Sequence, residues 1–125
     1  MIVIVGFQAR IRTGSLKWLK KGYRHCCAYQ QVDDGWVLCD PMRDSLLLRS
    51  APAVPPRALM SAVAAIEASA VAVECGGHGK RMPWVRPITC VEICKRVAGR
   101  RCGWLITPYQ LFRHLALKRA WREYP

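Results

Sequence analysis

The stretch His25-Cys26-Cys27-Ala28-Tyr29-Gln30-Gln31-Val32-Asp33-Asp34-Gly35-Trp36-Val37-Leu38-Cys39-Asp40-Pro41 decides the fold class. Two strand-like runs, Tyr23 to Val32 and Trp36 to Asp40, flank Asp33-Asp34-Gly35. Aspartate folds its side chain back onto its own backbone and glycine tolerates positive φ, so this triplet favours a tight turn. A β-hairpin is therefore predicted, with Pro41 ending its second strand because proline lacks the N–H a ladder needs. Its register stays open. A two-residue loop of Asp33 and Asp34 sets Asp40 opposite Cys27, on the face of His25 and one diagonal step from it. A loop of Asp34 and Gly35 sets Asp40 opposite Tyr29, too far without bending. A three-residue loop turns Asp40 to the other face unless a bulge intervenes.

Outward from the hairpin, Met1 to Gln8 reads as a buried strand, uncharged and rich in β-branched residues. Arg10 to Gly22 is a basic connection with a helical turn around Leu16-Lys17-Trp18-Leu19. Ser45 to Arg49 adds a short strand, and Ala51-Pro52-Ala53-Val54-Pro55-Pro56 is a stiff linker. From Arg57 to about Ala68, Leu59, Val63 and Ile66 recur at helical spacing. Ala70 to Cys75 reads as another strand, and Gly76-Gly77-His78-Gly79-Lys80 as a flexible loop leading through Pro83 and Pro87. Thr107-Pro108-Tyr109-Gln110 has capping-box spacing with proline at the first helical position, opening a last helix through Leu111, Leu115 and Lys118. The sequence shows no internal repeat and no domain boundary. The expectation is one α+β domain over residues 1–125, a small antiparallel sheet packed with helices.

The segment Pro87-Ile88-Thr89-Cys90-Val91-Glu92-Ile93-Cys94-Lys95-Arg96-Val97-Ala98-Gly99 carries the chemistry. Thr89 and Glu92 have capping-box spacing, Lys95 and Arg96 fall in the last turn, and Gly99 suits the left-handed residue that ends a helix. Cys90 is then the first helical residue. Unpaired N–H groups and the positive end of the helix dipole there favour S⁻ over S–H, which makes a thiol nucleophilic near neutral pH.

Composition bounds the rest. With 52% hydrophobic and 22% charged residues among 125, the chain is a folded globule. The run Met1 to Val5 is too short to cross a bilayer, and Ala58 to Val73 carries Ser61, Glu67 and Ser69, so no membrane span is expected. No basic region precedes an apolar run, so no signal peptide is expected either. The seven cysteines lack the spacing of a secreted disulfide scaffold, and buried free thiols account for most of them. Cys26 and Cys27 are neighbours and in a strand point to opposite faces. Twenty Lys plus Arg against eight acids give a net charge of +12, a surface that attracts nucleic acid or another polyanion without naming one. No nucleic-acid motif accompanies it, and the five tryptophans are dispersed rather than gathered as a stacking platform.

Among the three histidines, His114 lies on the last helix and His78 in a glycine loop. His25 begins a strand, which can hold an imidazole rigidly. A strand opened by His, a turn, a second strand with a polar end and a later helix opened by Cys resembles the permuted papain-like hydrolases. These are the NlpC-like group that includes the lecithin retinol acyltransferase relatives. The resemblance covers roughly residues 22 to 99 and rests on Gly22-Tyr23-Arg24-His25, Trp36-Val37-Leu38-Cys39-Asp40-Pro41 and Thr89-Cys90-Val91-Glu92. The chain also looks like small proteins encoded among bacteriophage tail and structural genes, through Thr107-Pro108-Tyr109-Gln110-Leu111.

The papain-like resemblance implies Cys90 as nucleophile, His25 as general base and Asp40 as the group that orients the imidazole. It implies a thiol hydrolase, peptidase or acyltransferase acting on a peptide or acyl substrate, such as a cell-wall peptide crosslink, with no cofactor. The Cys90 N–H is the natural oxyanion donor, and Tyr23 is a candidate for a second. The phage resemblance implies a non-catalytic virion component or adaptor whose basic surface meets other phage structural proteins. The location implied is the host cytoplasm or a phage particle. A third reading is a zinc-stabilised nucleic-acid binder: Cys75 and His78 followed by Cys90 and Cys94 have tolerable spacing for structural zinc.

Overall fold

The computed structural model describes residues 1–8, 23–41, 45–66, 69–75, 89–100 and 105–117. Strands β1 (Ile2–Gln8), β2 (His25–Val32), β3 (Gly35–Pro41) and β4 (Leu46–Ala51) precede helix α1 (Pro56–Ile66). Strand β5 (Ser69–Glu74) and helices α2 (Cys90–Val97) and α3 (Pro108–Leu117) follow. The Arg10–Gly22 connection, the glycine loop with His78, and Asp44, Cys102 and Lys118 lie outside the described residues.

The strands form one five-stranded sheet in the order β4-β3-β2-β1-β5, every pair antiparallel. β1 lies inside the sheet between β2 and β5, which is why its sequence shows no polar alternation. Val3, Val5 and Phe7 meet Cys26, Ala28, Val71 and Val73 on one face, covered by Val91, Cys94 and Ala98 of α2 and Leu111 and Leu115 of α3. Ile4 and Ala72 join Trp36 and Val63 of α1 on the other. The class is α+β, with helices on both faces of the sheet. Among the described residues no helix is long and apolar enough to cross a membrane.

Local chemistry fixes the joints. Gly35 has φ of +146°, and a Cβ there would stand 2.5 Å from the carbonyl oxygen of Ala51. Only glycine admits that approach of β4 and the linker to the turn. The Trp36 indole N–H then donates to the Val54 carbonyl at 3.0 Å, tying the proline-rich segment down. That segment is shorter than its sequence suggests, because Ala51 belongs to β4 and Pro56 already opens α1. Ile66 does not join the buried stripe of α1. It is 80% exposed while Val63 is buried, since helical spacing assigns a face but not how far along it the sheet extends.

Candidate functional site

Hairpin register brings His25 and Asp40 together. Val32 pairs with Gly35, so Asp33 and Asp34 alone form the loop. The ladder runs back from there to Ala28–Cys39 and, continued one step, sets Asp40 opposite Cys27 and diagonal to His25. His25 Nε2–H donates to Asp40 Oδ1 at 2.8 Å, with both side chains buried. This bond occupies Nε2, so Nδ1 is the ring nitrogen left for a second partner.

The same register explains why β2 and β3 part at this end. The closing pair of a two-residue hairpin is hydrogen-bonded, and alternation directs the Cys26 N–H toward β3. Its partner there would be Pro41, which has no N–H to return. The ladder stops at Ala28–Cys39, and the Cys26 N–H is released toward the Cys90 sulfur instead.

Helix α2 delivers that sulfur. Thr89 is the N-cap, extended at φ −108° and ψ 166°, and its Oγ1 accepts from the Glu92 N–H at 3.2 Å. Cys90 is the first helical residue, as its sequence predicts, and its own N–H has no acceptor within the helix. At the other end Gly99 has φ of +66°. The Gly99 N–H reaches the Arg96 carbonyl at 3.1 Å and the Arg100 N–H reaches that of Lys95 at 2.7 Å, a Schellman ending. The capping box at Thr89 is only half made. The Glu92 carboxylate turns instead to Lys95 Nζ at 2.7 Å and lies 3.7 Å from Arg96 Nε. The box at Thr107 is complete: Gln110 N–H donates to Thr107 Oγ1 at 3.2 Å, and Gln110 Oε1 accepts from the N–H groups of Thr107 and Ile106 at 3.0 and 2.9 Å.

These contacts place a proton. The Cys90 thiol is lowered from the ordinary thiol range to about 5, first by the S–H of Cys26, which donates to it. Burial opposes this, and the hydrogen bond and charge of His25 and the Cys26 N–H reinforce it. Burial pushes His25 down, but its bond to Cys90, its bond to Asp40 and the charges of both outweigh it, leaving the imidazole above its ordinary value. Cys26 moves the opposite way to Cys90: burial, together with its hydrogen bonds to Cys90 and Cys94, holds it protonated well above the thiol range. The two shifts together favour a Cys90 thiolate facing a His25 imidazolium, with Asp40 behind the ring.

The structure thus gathers Cys90, His25 and Asp40 at one end of the sheet, and adds Cys26. Sequence reasoning missed Cys26, although its signal was present: residues adjacent in a strand face opposite ways, and only Cys26 of the cysteine pair shares the face covered by α2. Lys95 is a second departure. Its position suggested a charge complementing the helix end, yet its side chain is 1% exposed, one turn beyond buried Val91. Tyr23 packs its ring with Phe7, Tyr109 and Phe112 at centroid distances of 5.8, 5.0 and 4.8 Å. His114 is half-buried on α3. Of the residues with zinc spacing, Cys75 packs in the core with Cys94, and His78 lies outside the described residues. Among the described residues no three His, Cys, Asp or Glu side chains are arranged to hold a metal ion.

No family model, curated protein or solved structure matches this chain.

Proposed function

We propose that the protein is a small thiol hydrolase or acyltransferase of permuted papain-like architecture, acting on an amide or ester such as a cell-wall peptide link. The observation that carries this reading is the buried imidazole of His25, bonded at 2.8 Å to Asp40 on one side and hydrogen-bonded to the Cys90 sulfur on the other. A structural histidine needs one satisfied partner. Here a carboxylate and a thiol at a helix start converge on the same ring, each favouring charge separation between sulfur and imidazole. Chain order supports the permuted arrangement, with the histidine strand first, the carboxylate strand second and the cysteine helix last.

The Cys90 thiolate attacks the substrate carbonyl, and the oxygen that gains charge is met by the Cys90 N–H at the start of α2. The carbonyl re-forms as the bond to the leaving group breaks, and the His25 imidazolium protonates that group as it departs. An acyl thioester on Cys90 remains. Neutral His25 then takes a proton from water or another acceptor, which displaces the sulfur and regenerates the ion pair. Asp40 keeps the ring oriented and stabilises the imidazolium throughout. The net charge of +12 favours acidic substrates or partners through the whole cycle.

The test is hydrolysis of muropeptides and of simple activated esters by the wild-type chain, Cys90→Ser and His25→Ala. Turnover by the wild type that both substitutions abolish supports the reading. Turnover that survives Cys90→Ser, or a wild type inert toward every ester and amide tried, transfers belief to a non-catalytic binding role.

A further inference from the structure

Cys26 and Cys94 stand in the same packed cluster as Cys90, and the Cys26 thiol hydrogen-bonds to both. All six described cysteines are free. Nothing in acyl transfer requires a second thiol beside the nucleophile. We propose that Cys90 and Cys26 form a reversible disulfide site, made when a peroxide oxidises Cys90. The proposal rests on Cys90 being the reactive thiolate of the function proposed above.

The geometry supplies each part. Cys90 is only partly buried, so a small oxidant reaches it, whereas Cys26 is fully buried and is protected from direct attack. The thiolate attacks one peroxide oxygen, the O–O bond breaks, and the departing oxygen takes the proton of the His25 imidazolium and leaves as water. Cys90 is then a sulfenic acid. The Cys26 sulfur attacks the Cys90 sulfur, the S–O bond breaks, and the released hydroxide takes the proton that Cys26 gives up, forming a second water. Two electrons have passed from the sulfur pair to the peroxide. A dithiol reductant reverses the bond by exchange. The disulfide consumes both the nucleophile and its main hydrogen-bond donor, so the site is silent until reduced and is spared oxidation to sulfinic acid.

The experiment treats the reduced full-length chain with one equivalent of hydrogen peroxide at neutral pH, followed by non-reducing digestion and mass spectrometry. The expected product joins the Cys26 and Cys90 peptides. Its formation should parallel loss of iodoacetamide labelling at Cys90, and dithiothreitol should restore both. Cys26→Ser, which preserves size and a donor, should stop at the sulfenic acid with one equivalent and give Cys90 sulfinic acid that dithiothreitol does not recover once a second equivalent is added; circular dichroism checks that this variant folds. Sulfinic acid on wild-type Cys90 without the cross-link, or a bond from Cys90 to Cys94, would overturn the proposal. Labelling before oxidation separates the two readings. A Cys90 whose labelling rate falls off only in the ordinary thiol range of pH sinks the hydrolase reading, while a Cys90 that stays ionised in mild acid and forms no disulfide sinks only this one.

Discussion

The rate at which Cys90 is alkylated should depend on pH as no ordinary cysteine's does. With the thiol lowered to about 5, about 90% of it is thiolate at pH 6. A free cysteine near 8.5 is only about 0.3% ionised there. The Cys90 rate at pH 6 should therefore stand at about nine-tenths of its plateau, and its acid limb should have a midpoint near 5. The plateau itself should be modest. Nucleophilicity falls with basicity at a Brønsted slope of about 0.4–0.5, so each Cys90 thiolate should react roughly 25- to 55-fold more slowly than an ordinary one. The measurement is site-resolved: iodoacetamide pulses between pH 4 and 9, quenched, digested and quantified at each cysteine peptide. Referring each rate to the same residue's plateau cancels the steric effect of partial burial. In His25→Ala the midpoint should rise, because a hydrogen bond and a positive charge leave the sulfur, while Cys26 keeps it below the free-thiol range. A wild-type midpoint near 8.5, or one that His25→Ala leaves in place, would refute the reasoning.

Other consequences are equally direct. Asp40→Asn removes a charged partner from a buried 2.8 Å bond, so the His25 midpoint followed by NMR should drop. Thr89→Ala should cost about 1 kcal/mol in denaturant unfolding through loss of the cap on the Cys90 helix. Glu92→Gln should cost about 3–5 kcal/mol, because it strips the carboxylate from a lysine that is 1% exposed. Cys26 stays protonated when folded well above the pH at which an unfolded thiol ionises, so the folded chain holds more protons there. Its contribution to stability is present below about pH 8.5 and is lost as pH rises beyond it, with a slope approaching 1.4 kcal/mol per pH unit. Thermal melts of the wild type and Cys26→Ser between about pH 8.5 and 10 should diverge in that direction, and parallel curves would argue against it.

Much of this architecture is legible before any coordinates. The apolar β1 run, the turn triplet and the two capping signatures each follow from backbone chemistry acting over a few residues. Cys90 and His25 stand out for the same reason, as the first residues of a helix and a strand, whereas Asp40 is named only through the resemblance to the permuted papain-like hydrolases. Hairpin register could not be read, because Asp33-Asp34-Gly35 permits several loops. What selects one is the approach of Ala51 to Gly35, a contact between segments sixteen positions apart. The reach of Cys26 to Cys90 is hidden for a related reason, as it depends on where α2 crosses β2. Lys95 shows the opposite failure. It shares a helical stripe with Val91, Cys94 and Ala98, but its charge disguised a buried position.

The most direct test of the account is to look for the covalent intermediate. On mixing with p-nitrophenyl acetate, the chain should release a burst of about one nitrophenolate per molecule, leave an acetyl thioester on Cys90, and lose both in Cys90→Ala. Slow acetylation scattered over surface lysines, with no burst and no change in Cys90→Ala, would contradict it.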